Sequence, residues 1–196
     1  MPLPTANPAA PPPINAHYLQ YGVAIAAESQ VSGGDVCPSG AETPCILGSG
    51  LGLAIRVGYR ARGPWYVGGA YEASRQDSSN LLRLPILQQL RAETRYYADR
   101  GTRLVAYATT GLGAAFYGNE WGAETGGLTG FLGGGLELQI SRTSVLGAAL
   151  AYRPILLRGW VDGAGERRAD RLLGFGLGHF VVLELTLEVR SQLERW

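Results

Sequence analysis

The sequence contains no lysine, and its 17 basic residues are all arginine. Soluble domains normally carry many lysines, so this absence either disfavours a large water-exposed exterior or reflects only genomic base composition. Charged residues make up only 17% of the 196 residues, which is below the usual quarter or so. The formal net charge is +1, which provides no strong electrostatic field, and no nucleic-acid partner is expected.

Long apolar runs are also missing. No stretch reaches 18 consecutive apolar residues, which excludes a transmembrane helix. The first 16 residues, MPLPTANPAAPPPINA, have no basic region followed by an apolar one, so they do not form an intact signal peptide. Their prolines predict a flexible, extended segment over residues 1–16. If the protein is exported, we expect that a signal has been removed or replaced before Met1.

Cysteine and histidine are scarce, with two residues of each. Cys37 and Cys45 lie in one polar segment rich in glycine, which predicts a short disulfide-bridged loop in an oxidising compartment, with two free thiols as the alternative. No histidine or further cysteine is nearby, so no metal site is expected. The Gly174-Phe175-Gly176 run is not followed by a predicted helix and is not a nucleotide-binding motif, and no cofactor is expected.

Glycine, by contrast, is abundant, with 29 residues. In many segments, large apolar residues alternate with small or charged residues at every second position. In the segment LGLAIRVGYR, Leu51, Leu53, Ile55, Val57 and Tyr59 share one side, while glycine, alanine and arginine occupy the other. Side chains of a strand point to opposite faces in turn, so this pattern predicts a strand. Eight such segments occur, at about 17–29, 49–62, 64–75, 84–98, 103–117, 127–140, 144–156 and 171–190.

The connections between these segments alternate in length. Tight turns at 62–64, 99–102 and 141–143 alternate with long loops at about 30–48, 76–83, 118–126 and 157–170. This alternation predicts an antiparallel up-and-down meander with both termini at the short-turn end. A helix competes with the fourth strand in LLRLPILQQLRAETRYYADR, but Pro85 and the β-prone TRYY disfavour a long one.

Two closed barrels fit this pattern, and they differ in which face points inward. In a soluble barrel the Leu/Val face would be the core, and the exterior would be poor in charge and rich in glycine, which water-exposed surfaces do not favour. In a transmembrane barrel the apolar face meets lipid, and paired charges fill the narrow interior of eight strands. We therefore predict an all-β, eight-stranded antiparallel transmembrane barrel. Glu72–Arg91 and Arg95–Glu137 are candidate ion pairs. The predicted lumen network comprises Arg56, Glu72, Arg91, Glu93, Arg95, Glu137, Arg153, Glu184 and Glu188.

Aromatic residues near the strand ends predict two girdles at the membrane interfaces. The girdle at the short-turn end comprises Tyr59, Trp65 and Tyr96. The girdle at the loop end comprises Tyr71, Phe116, Trp121, Trp160 and Phe175.

Over residues 17–190 the chain resembles the small outer-membrane β-barrels of Gram-negative bacteria, of the type of the OmpA transmembrane domain and OmpX. The resemblance implies a monomer in outer-membrane lipid and lipopolysaccharide, with periplasmic termini and extracellular loops. The family commonly ends on an alternating apolar strand with a terminal aromatic. Here Trp196 is terminal, but Arg190, Gln192 and Glu194 precede it at that spacing. Residues 191–196 are therefore predicted to form a short periplasmic tail.

A structural or surface-interaction role, with a plugged lumen and a protein partner docked on loops 30–48 and 157–170, is the favoured function. The arginines of the last loop, Arg167 and Arg168, would also suit lipopolysaccharide phosphates. One alternative is a narrow pore. Another is a lipid A-modifying enzyme, but His179 has no serine two residues on. The polar residues Asp77, Ser78 and Ser79 lie at the opposite end from His17, so no catalytic residues and no enzyme are predicted.

Overall fold

The structure, a computed structural model, describes residues 16–33, 36, 47–76, 83–98, 102–161, 167–168 and 174–193. Its regular elements are ten strands. Within these residues no helix is long and apolar enough to cross a membrane. The strands are β1 (His17–Ser32), β2 (Gly50–Arg60), β3 (Trp65–Gln76), β4 (Pro85–Tyr97), β5 (Leu104–Asn119), β6 (Thr125–Gln139), β7 (Ser144–Arg158), β8 (Trp160–Val161), β9 (Arg167–Arg168) and β10 (Phe175–Leu193).

Eight of these strands form a closed antiparallel barrel in the order β1-β10-β7-β6-β5-β4-β3-β2. Each barrel strand pairs with the barrel strand that follows it in sequence, and β1 closes the barrel by pairing with β10, where His17 lies opposite Leu193. The barrel strands are 11 to 19 residues long, and a tilted transmembrane strand needs about 9–11. The transmembrane β-barrel predicted from the alternation is confirmed.

Tight connections at one end and longer ones at the other divide the barrel into a short-turn end and a loop end. At the short-turn end, the amide of Ala61 donates to the carbonyl of Trp65 at 2.9 Å, and the amide of Ser141 donates to that of Ser144 at 3.2 Å. Tyr18 pairs with Arg60 beside the first turn, so the start of β1 and the end of β10 lie at this end as well.

Several strand bounds differ from the sequence pattern. The chain from Pro85 is a strand, as the pattern predicted, and Pro85 occupies the first position of β4, where a missing amide is tolerated. β10 continues through Leu193, three residues past the predicted bound at 190 and into the predicted tail 191–196, because its backbone pairs with the start of β1. The last long loop also contains a two-residue ladder between β8 and β9, which is too short to give a periodic signal.

Some of the glycines leave room for aromatic rings that pack inside the barrel. Tyr66 points inward and is buried, and a Cβ added at Gly58 or Gly68 would lie 2.4 or 2.3 Å from atoms of the Tyr66 side chain. Similarly, a Cβ at Gly135 would lie 2.6 Å from Tyr107. Glycine at these inward positions therefore leaves room for rings that a narrow interior would otherwise exclude.

Candidate functional site

The two faces of the barrel wall differ sharply in chemistry. The outward face consists largely of Leu, Val and Ile, and such side chains as Leu53 and Leu112 are 68% and 75% exposed. The inward face holds the buried charged residues. A soluble ligand-binding barrel requires an apolar interior, so the arrangement contradicts that alternative.

The lumen holds equal numbers of buried positive and negative side chains. All are at most 7% exposed, and no other charged side chain among the described residues is buried. Isolated charges in such an interior would be strongly destabilising, so their matched number is a condition for folding. The set comprises Glu28, Arg56, Arg60, Glu72, Arg91, Glu93, Arg95, Glu137, Arg153, Glu184, Glu188 and Arg190.

The part of this network toward the loop end is centred on Arg153 of β7. Its guanidinium pairs with Glu28, lies 2.8 Å from Glu72 and lies 3.1 Å from Glu184. Arg91 pairs with the same two partners, at 2.5 Å from Glu72 and 3.1 Å from Glu184. Side chains that donate hydrogen bonds to Glu28 belong to Ser74, Gln76 and Gln89.

The part toward the short-turn end is centred on Glu137 of β6. Its carboxylate pairs with Arg190, lies 3.1 Å from Arg60 and lies 3.4 Å from Arg95. The hydroxyl of Tyr97 donates to Glu137 at 2.5 Å. The guanidinium of Arg60 also stacks on the Tyr97 ring, 3.7 Å from its centroid.

Arg95 and Arg56 connect the network along the barrel axis. Arg95 forms a two-pronged pair with Glu188, at 2.9 and 3.1 Å, and contacts Glu93 at 3.2 Å. Arg56 pairs with Glu184 on the loop side and lies 3.8 Å from Glu93 on the turn side. A continuous chain of ion pairs therefore runs through the interior.

The structure places all nine residues of the predicted lumen network inside the barrel. Both proposed pairs are present, Glu72–Arg91 at 2.5 Å and Arg95–Glu137 at 3.4 Å. Sequence reasoning missed three members because it considered only charges in the middle of strands. The sequence did contain a signal for them, because each occupies one of the alternate positions of its strand that face inward. These residues are Glu28, Arg60 and Arg190.

Above the charges, the loop end of the interior is apolar. Val36 and Leu47, from the connection between β1 and β2, are buried against inward side chains of the wall. This apolar cap separates the charged network from the loop end. Its wall residues are Ala26, Leu87, Ala115, Tyr117, Ile155, Leu157, Phe180 and Val182.

Exposed aromatic side chains lie outside the barrel at both ends. At the short-turn end, Trp65 and Tyr96 meet edge to face with centroids 5.1 Å apart, and Tyr59 stacks on His17. Toward the loop end, the predicted residues are less regular. Tyr71 lies halfway along β3, Phe116 lies on β5, Trp121 lies in the following turn, and Phe175 begins β10. Trp160 lies in β8, but its side chain is outside the described set.

Other predicted residues bear on catalysis and redox chemistry. His179 lies on β10, where Tyr152 stacks on its ring and hydrogen-bonds to its Nδ1. Asp77, Ser78 and Ser79 are outside the described residues. Cys37 and Cys45 are too, so their disulfide stays a prediction.

No protein-family model matches the chain, and no curated protein matches its sequence significantly. Among solved structures, Neisserial surface protein A (NspA) is similar, with a TM-score of 0.56 and 17% identity over 90% of this chain and 97% of that one. The outer membrane protein OprG from Pseudomonas aeruginosa aligns with a TM-score of 0.49 and 13% identity over 94% and 99% of the two chains. The predicted resemblance is confirmed at the level of the fold: the chain has the architecture of the small eight-stranded outer-membrane β-barrels.

Proposed function

We propose that the protein is a monomeric outer-membrane β-barrel with a closed lumen and a structural or surface-interaction role. The observation that carries this proposal is the filled interior, where matched arginines and glutamates form a continuous network beneath an apolar cap. An ion entering this lumen would have to break charge pairs that have no access to water. The barrel is therefore suited to occupying the membrane rather than to conducting through it.

The outer surface supports the location and the oligomeric state. Exposed Leu, Val and Ile side chains cover the wall, as expected for contact with lipid. One chain closes its own barrel through the β1–β10 pairing, so no edge strand needs a second copy. With periplasmic turns as short as these, the long connections are the surface offered outside the cell. The proposed interaction role is docking of a protein partner on loops 30–48 and 157–170.

We expect no steady ion conductance from the protein in planar lipid bilayers. The same result is expected for Arg56→Ala, because Arg91 and Arg153 remain paired with Glu184 and the apolar cap is unchanged. The measurement is single-channel recording, with an open porin inserted in the same bilayers as the positive control. Reproducible single-channel steps from the wild type would contradict a closed lumen and favour the narrow-pore alternative.

We also expect the folded protein to require detergent or lipid, because its outer wall is apolar around the full circumference. Removal of detergent should precipitate it. In detergent, unheated protein should migrate differently from boiled protein on a denaturing gel. A monodisperse folded protein in plain buffer would contradict the membrane location.

A further inference from the structure

Outside the lumen, the charged residues divide unequally between the two ends of the barrel. The connections and terminal segment at the short-turn end contain five arginines and two acidic residues, whereas the connections at the loop end contain four arginines and eight acidic residues. The lumen itself is balanced. The short-turn residues are Arg62, Asp99, Arg100, Arg103, Arg142, Glu194 and Arg195.

Three of these arginines are described by the structure, one from each tight connection. Arg62, Arg103 and Arg142 are all exposed. The acidic side chains described nearby, Glu137 and Glu188, point into the lumen and are paired there with arginines. At this end of the barrel, exposed arginines therefore lie in the tight connections, outside the charge-balanced lumen.

The position of this rim relative to the membrane identifies its surroundings. Arg62 lies three residues from Tyr59 and three from Trp65, and the exposed side chains of both belong to the aromatic girdle of the short-turn end. Aromatic bands mark the depth of lipid headgroups. Arginine side chains just beyond such a band can reach headgroup phosphates, and a guanidinium binds a phosphate through two parallel hydrogen bonds.

We propose that the short-turn end binds anionic phospholipids, through the phosphates of the leaflet that surrounds it. The arginines Arg62, Arg103 and Arg142 supply the contacts. Because the loop end has an excess of acidic residues, we expect the short-turn end alone to prefer anionic phospholipids. The proposal rests on the membrane location proposed above but not on a closed lumen or on docking by the loops.

The test compares lipid preference in vesicles of phosphatidylcholine that contain a trace of spin-labelled phosphatidylglycerol or spin-labelled phosphatidylcholine. Electron spin resonance measures the fraction of each labelled lipid that is immobilised by the protein. We expect the wild type to prefer phosphatidylglycerol by about threefold, and high salt to weaken this preference. The triple variant Arg62→Gln, Arg103→Gln, Arg142→Gln should lose it.

A matched triple variant removes the same charge from the loop end, at the exposed residues Arg75, Arg83 and Arg158. It should retain the preference. Heat-modifiable gel mobility confirms that each protein is folded in the vesicles, so failure of the membrane proposal is seen separately. The inference is overturned if the wild type shows no preference, if the short-turn variant keeps it, or if both variants lose it equally. Binding of purified peptidoglycan without lipid preference would also overturn it.

Discussion

Arg153→Ala is expected to destabilise the barrel by about 3–5 kcal/mol, the usual cost of removing one partner from a buried ion pair. Arg153 is 1% exposed and contacts three carboxylates, those of Glu28, Glu72 and Glu184. After its removal, Glu72 and Glu184 still pair with other arginines. Glu28 keeps the hydrogen bonds from Ser74, Gln76 and Gln89, all of which are neutral. The free energy of unfolding, measured by urea titration in lipid vesicles, should fall accordingly.

Arg158 supplies the matched control because it lies on the same strand and is exposed at the loop end. Arg158→Ala should change the free energy of unfolding by less than about 0.5 kcal/mol. A double variant separates charge from volume. If unpaired charge causes the loss, Arg153→Ala with Glu28→Gln should be more stable than Arg153→Ala alone. Equal effects of Arg153→Ala and Arg158→Ala would refute the structural role of the network.

The fold could be predicted because its signals are local. A strand shows alternate residues to opposite faces, so the segment 51–60 alone assigned Leu53 and Arg56 to opposite sides. The matching pattern of charges in eight segments then indicated which side was the lumen. In the structure Leu53 faces outward and is 68% exposed, whereas Arg56 faces the lumen and is 5% exposed.

The partners inside the lumen were harder to predict because they depend on register and on long side chains that cross the barrel. Arg56 of β2 pairs with Glu184 of β10, although β1 lies between these strands. Arg153 of β7 reaches Glu72 of β3, across the interior. The pairs that followed from similar depth along the segments are Glu72 with Arg91, on adjacent strands, and Arg95 with Glu137, with one strand between them.

The apolar cap could not be predicted for a different reason. Val36 and Leu47 belong to a long connection with no regular period, and nothing local shows that they fold back into the barrel. Their burial is a tertiary property, set by the apolar wall that receives them.

Gly58→Ala is expected to destabilise the barrel by about 1–3 kcal/mol, the cost of overpacking a filled interior. The three atoms nearest to an added Cβ all belong to the Tyr66 side chain, at 2.4 to 2.6 Å. Tyr66 cannot easily move away, since it is 1% exposed and Arg95 lies over its ring at 4.8 Å from the centroid. Urea titration in vesicles measures the loss.

The outward glycine of the neighbouring strand tests whether this cost comes from the ring. A Cβ at Gly69 would meet only the Arg91 carbonyl oxygen, at an ordinary 3.4 Å, so Gly69→Ala should be nearly neutral. In a double-mutant cycle, Gly58→Ala should cost much less when Tyr66 is already alanine, because the clashing atoms are gone. If both glycine variants lose the same stability, a general cost of adding a methyl group to the barrel wall, rather than space for the ring, would account for glycine at position 58. If only Gly58→Ala is costly, the inward glycines and the buried aromatics act as one packing unit, and the period-two pattern of glycine marks where that unit lines the lumen.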